Sequence, residues 1–128
     1  MNKQAVLDRV ITFMRAQGGP GRQHNGCFYR TNDGRKSALG CLIADKYYAD
    51  DLEDRDPADL PRYVFDSLDA ETDDEIAFLV AIETAHDDAA GAFPHDGAGF
   101  LKLWIEKLEG IAGEHALSLA AHKSLGDE

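Results

Sequence analysis

Cys27-Phe28-Tyr29-Arg30-Thr31-Asn32-Asp33-Gly34-Arg35-Lys36-Ser37-Ala38-Leu39-Gly40-Cys41-Leu42-Ile43-Ala44-Asp45 is the stretch on which the reading of this chain turns. Cys27 to Arg30 alternates in character, and Asn32-Asp33-Gly34 supplies residues that tolerate positive φ, so a short β-hairpin or tight turn is expected. Ser37 then serves as a cap for a helical turn whose Leu39, Leu42 and Ile43 share one face. On both sides of this stretch apolar residues recur at helical spacing. The expected fold is mainly α: a compact helical domain of four to five helices with one small β-hairpin near residues 27–39.

Upstream, Asn2 caps a helix in which Val6, Leu7, Val10, Ile11 and Met14 form a stripe. Gly18-Gly19-Pro20-Gly21 stops it, because glycine adopts left-handed conformations at little cost and proline cannot continue the hydrogen-bond ladder. Downstream, the acidic Asp50 to Asp56 run lacks an apolar stripe and reads as loop, while Asp56-Pro57 and Leu60-Pro61 are helix-start signals. Val64, Phe65 and Leu68 form the buried side of a short helix. Thr72-Asp73-Asp74-Glu75 is a capping-box pattern that opens a long helix, continuously apolar from Ile76 to Ile82 and ended by Gly91. Phe93 to Gly99 reads as an irregular loop. Phe100, Leu101, Trp104, Leu108 and Ile111 mark a further helix, and Leu117, Ala120, Ala121 and Leu125 a last short turn.

The chain resembles a group of small bacterial and phage proteins that share a Cys-x-Tyr-Arg element, an Asp-Gly-x-Lys element, and Ala-x-Gly-Cys-Leu-Ile-x-Asp with a nearby Tyr. The matching positions are Cys27, Tyr29, Arg30, Asp33, Gly34, Lys36 (one residue further on), Ala38, Gly40, Cys41, Leu42, Ile43, Asp45 and Tyr48. His86-Asp87, Trp104 and the run from Ile111 to Leu117 add to the likeness. The resemblance implies a phage or prophage origin and brings no mechanism with it.

The length of 128 residues fits a single domain, 1–128, able to bury a core without covalent staples. Two cysteines, no charged-then-apolar leader and no apolar run near 18 residues predict a cytoplasmic protein without a membrane segment. The net charge of −11 is unevenly placed: residues 1–49 carry +5, residues 50–75 carry −10 and residues 76–128 carry −6. Such a field disfavours direct contact with nucleic acid or anionic lipid and favours a basic partner.

Three constellations carry possible chemistry. His24-x-x-Cys27 with Cys41 offers soft ligands at a zinc-like spacing, but a fourth ligand at short range is missing and Cys41 lies in an apolar run. His86-Asp87 is reminiscent of helical phosphohydrolases that hold a metal with adjacent His and Asp, yet His86 follows Leu79 and Ile82 at helical spacing and so reads as a core residue. Cys27 or Cys41 paired with a histidine base would make a cysteine hydrolase. Plain core or half-buried cysteines and a satisfied histidine are the expectation, with no metal and no cofactor.

The function expected is that of a small acidic, non-enzymatic accessory protein that binds a host protein with a basic surface, as an inhibitor or decoy of a nucleic-acid-binding or defence protein. Two surfaces compete for that role: an acidic face of Asp50, Asp51, Glu53, Asp54, Asp56 and Asp59, and a hairpin patch of Tyr29, Arg30, Arg35 and Lys36. A small metal-dependent or cysteine hydrolase is the alternative, and a self-associating structural protein the second alternative.

Overall fold

The first helix begins where Asn2 places its side-chain oxygen on the backbone N–H of Ala5, an N-cap that satisfies one of the orphan donors of a helix start. A computed structural model describes residues 1–23 and 26–122. In it α1 spans Lys3–Gln17 and ends on Gly18, whose φ of 81° is the left-handed conformation that glycine adopts without strain. Leu7, Val10, Ile11 and Met14 are its buried stripe.

Two strands follow, β1 (Arg22–Gln23) and β2 (Gly26–Cys27), paired antiparallel with Arg22 opposite Cys27. The small hairpin therefore lies just upstream of the expected position. The Asn32-Asp33-Gly34 turn is closed by one isolated bridge, Arg30 to Lys36, with Gly34 at φ 89°. From Gly40 to Asp59 the chain proceeds by 3-10 turns at Gly40–Leu42, Asp45–Tyr47, Asp50–Asp54 and Pro57–Asp59. The Asp50 run is thus helical in a tight, short form rather than loop, because one apolar residue, the fully buried Leu52, ties it to the core.

Helix α2 (Arg62–Ser67) starts after Pro61 and buries Val64 and Phe65. Helix α3 (Asp73–Ala92) opens with the complete capping box between Thr72 and Glu75, and passes Gly91 by one residue. Helix α4 (Gly97–Glu114) takes in three residues expected to be loop, because Asp96 accepts the N–H of Gly99 at 3.0 Å and caps the helix early.

Helices α3 and α4 form the most extensive pair in the molecule. His86 faces Phe100, the Trp104 indole N–H points at the carbonyl of Ile82, and Phe78 faces His115, so the helices run antiparallel. Helix α1 packs across α4 and the Gly40–Leu42 turn. One continuous core results, with Trp104, Phe78, Phe100, Leu7, Ile11, Met14, Leu39 and Leu52 among its fully buried members. Residues 115–122 return to α1: Gln4 bonds the backbone of Ser118 at both its N–H and its carbonyl, and His122 meets Asp8 at 2.9 Å. The expected last amphipathic turn is helical at 120–122, while Leu125 lies outside the described residues. No described helix is long and apolar enough to cross a membrane.

Candidate functional site

Helix α3 places Glu83, His86 and Asp87 within one turn of each other, on or beside the face that Leu79 and Ile82 bury. Glu83 and His86 are buried, and Asp87 is half-buried at the rim. The β1–β2 hairpin brings Cys27 over this turn, so that ligand atoms of Cys27, His86 and Asp87 all lie within 4.8 Å of one another. Two sets of residues that the sequence kept apart thus meet in space. His24 lies outside the described residues, and Cys41 is elsewhere, buried with its thiol directed at the carbonyl of Ala38 at 3.0 Å. Both cysteines are free.

The hydrogen bonds define what the cluster can do. A backbone N–H can only donate, so the 3.0 Å contact from Gly21 makes Nε2 of His86 an acceptor. Nδ1 then carries the proton and donates to Asp87 at 2.8 Å. Both ring nitrogens are engaged, and neither has a lone pair free for a metal or for the Cys27 thiol proton. The thiol itself is held protonated: burial, then the negative charge of Asp87, pushes Cys27 up to about 12. Burial does the same to Cys41, also to about 12. A thiol in this state is a poor nucleophile, and among the described residues His86 offers it no free ring nitrogen to act as base.

Beside the cluster is a cavity of about 150 Å³ lined by Cys27, Tyr29, Glu53, Arg55, Glu83 and Asp87 together with Phe28, Asp56 and Pro57. Glu83 accepts the N–H of Leu39 at 2.9 Å, and burial raises its carboxyl well above the ordinary range. The sequence carried a signal for this residue, since Glu83 is four positions after Leu79 and three before His86 and so belongs to the same buried stripe. The sequence places Glu53 among the acids of a binding face. In the structure it has an internal task, accepting the N–H groups of Tyr29 (2.8 Å) and Arg30 (3.0 Å) and the hydroxyl of Tyr48 (2.7 Å).

The hairpin patch does not form a platform. Tyr29 is buried, with its hydroxyl donating to the carbonyl of Arg55 at 2.8 Å. Arg30 bonds the carbonyl of Ile43 (2.8 Å), pairs with Asp45 (2.9 Å) and stacks over Tyr48. Arg35 reaches back to the carbonyl of Pro20 at 3.4 Å, and the N–H of Lys36 is bonded by Gln17 at 2.8 Å. Tyr29, Arg30 and Arg35 thus serve as internal ties, while Lys36 is held by its backbone.

The remaining five acids of the face, Asp50, Asp51, Asp54, Asp56 and Asp59, are exposed. None of the ion pairs among the described residues involves them. Their backbone is ordered from below by buried Leu52 and Leu60, and the segment is closed at its ends by Tyr47 and Tyr63, whose rings lie 6.3 Å apart. No family model, curated protein or solved structure matches the chain.

Proposed function

We propose that the protein acts by binding another protein through its 50–59 segment, as an acidic accessory protein of phage or prophage type. Its target in this reading is a host protein with a basic surface, of the nucleic-acid-binding or defence kind, which it occupies as a decoy. The observation that supports this is the exposure of Asp50, Asp51, Asp54, Asp56 and Asp59, unpaired among the described residues, on a backbone held in place by Leu52 and Leu60. Charges fixed on an ordered segment steer a basic partner at long range and lose little conformational freedom on docking. Tyr63, exposed at 45%, stands at the base of the segment and supplies an aromatic contact of the type enriched at interfaces.

The test is kinetic. With a partner captured from a host lysate, association should slow steeply as salt rises, since exposed charges are screened over about 8–10 Å at physiological ionic strength. Changing the five aspartates to asparagine should slow association more than it speeds dissociation. A partner bound equally well at low and high salt, and indifferent to the asparagine variant, rules this surface out.

A further inference from the structure

Gly21 joins two parts of the molecule through its backbone. Its N–H donates to Nε2 of His86 on α3 at 3.0 Å, and its carbonyl accepts the N–H of Phe28, next to β2, at 2.9 Å. No larger residue fits there, because a Cβ on Gly21 would stand 2.4 Å from the backbone nitrogen of Ser37. The hairpin that carries Cys27 is thus joined to α3 through the imidazole acceptor of His86, which is itself fully buried. That acceptor exists only while the ring is neutral. Protonation puts a hydrogen on Nε2, which then faces the hydrogen of the Gly21 amide, and two donors cannot bond each other.

We propose that the Gly21–His86 contact is an acid-operated latch: proton uptake by His86 breaks it and releases the β1–β2 hairpin from α3, opening the wall of the polar cavity formed by Cys27 and Phe28. The charged and titratable groups that face the ring come from α3, from the hairpin and from the loop before it. Asp87, already bonded to Nδ1, and Glu83 lie on the same helix, and the carboxylate of Asp87 supplies a counter-charge. Across from them are the Cys27 thiol on β2, with the Arg22 guanidinium of β1 beside it, and the edge-on ring of Phe100 from α4, 5.2 Å from centroid to centroid. Arg35 is the nearby cation on the far side of the loop, held to the carbonyl of Pro20. Other ties of the loop and hairpin, from Gln17 to the carbonyls of Gly19 and Lys36 and from the N–H of Asn32 to the side-chain oxygen of Gln23, do not involve a titrating group. The release is therefore local, confined to Gly21 and the hairpin.

Nuclear magnetic resonance on the intact chain tests this. The His86 ring is followed by its nitrogen shifts as the pH is lowered, while hydrogen-exchange protection factors are measured for the amides of Gly21 and Phe28 and, as a reference, for Trp104 and Leu108. The latch requires protection at Gly21 and Phe28 to fall by about tenfold or more in step with ring protonation, the effect of orphaning a buried donor, with Trp104 and Leu108 unchanged. His86→Gln, which keeps an oxygen acceptor but cannot titrate, should hold that protection constant over the same range. Protection that ignores ring protonation overturns the proposal. So does loss at all four amides together, or a ring that takes up no proton before the chain unfolds. These readings come from the wild-type chain and stand even if the variant fails to fold.

Discussion

The stretch from Gln17 to Ile43 and the stretch from Asp50 to Asp59 are both rich in polar side chains, and the fold treats them in opposite ways. In the first, Gln17 bonds Lys36 at both its N–H and its carbonyl, Tyr29 donates to Arg55, and Arg30 donates to Ile43. Glu83 and His86 arrive from α3 to take the N–H groups of Leu39 and Gly21. This region has little regular secondary structure, so its backbone donors and acceptors must find side chains instead. In the second, the 3-10 turns satisfy much of the backbone by themselves, for example Asp59 N–H to the carbonyl of Asp56 at 2.9 Å. Its aspartates are exposed and take part in none of the ion pairs among the described residues. Glu53 is the exception that marks the boundary, a member of the acidic run that serves the first region. A polar residue here is structural where the backbone beside it is irregular and available for contact where it is not.

The largest effect should come from the core on which both regions rest. Trp104 is fully buried and stacks on Phe100 with centroids 6.0 Å apart. Trp104→Ala should cost about 3–5 kcal/mol, read as a large drop in denaturation midpoint, and an unchanged midpoint would contradict this packing.

Next comes the contrast within one acidic run. Glu53→Ala leaves two backbone donors and the Tyr48 hydroxyl without their acceptor, so it should destabilise the fold by about 1–3 kcal/mol. Asp54→Asn, one residue away, should stay within about 0.5 kcal/mol of wild type. Equal costs for the two would erase the distinction drawn between the regions. Denaturant titration of both variants decides it.

Much of the helical frame was legible in the sequence because it is local. The Asn2 cap, the Gly18 stop, the Thr72–Glu75 box and the Trp104 stripe each depend on residues three or four apart. The Asn32–Gly34 turn is legible and is closed by the Arg30–Lys36 bridge, whereas the β1–β2 ladder beside it has only two residue pairs and no alternating pattern to announce it. Tyr29, Arg30 and Glu53 were read as surface because their partners, Arg55, Ile43 and the Tyr29 backbone, are 13 to 26 residues distant, and no spacing rule reports such contacts. His86 was placed correctly in the core by its stripe position. The same reasoning extended by one residue beyond Ile82 finds Glu83.

A smaller, pH-dependent effect follows from Glu83. Burial raises its carboxyl from an ordinary 4.5 to about 7, so the folded chain keeps a proton that the unfolded chain has already lost. Stability from this group is complete below 4.5 and is lost as pH rises toward about 7. Glu83→Gln keeps an acceptor for Leu39 and removes the titration. The melting temperature of the variant relative to wild type should therefore rise across that window, and a difference independent of pH would mean that Glu83 ionises normally in the fold.

The acidic segment itself is tested most directly by parallel capture from one host lysate, at low salt, with the wild-type chain and with the chain in which Asp50, Asp51, Asp54, Asp56 and Asp59 are all asparagine. The two proteins should give identical melting curves and a specific partner should be retained by the wild type alone, because these side chains are exposed to solvent. The same partner retained by both would contradict it.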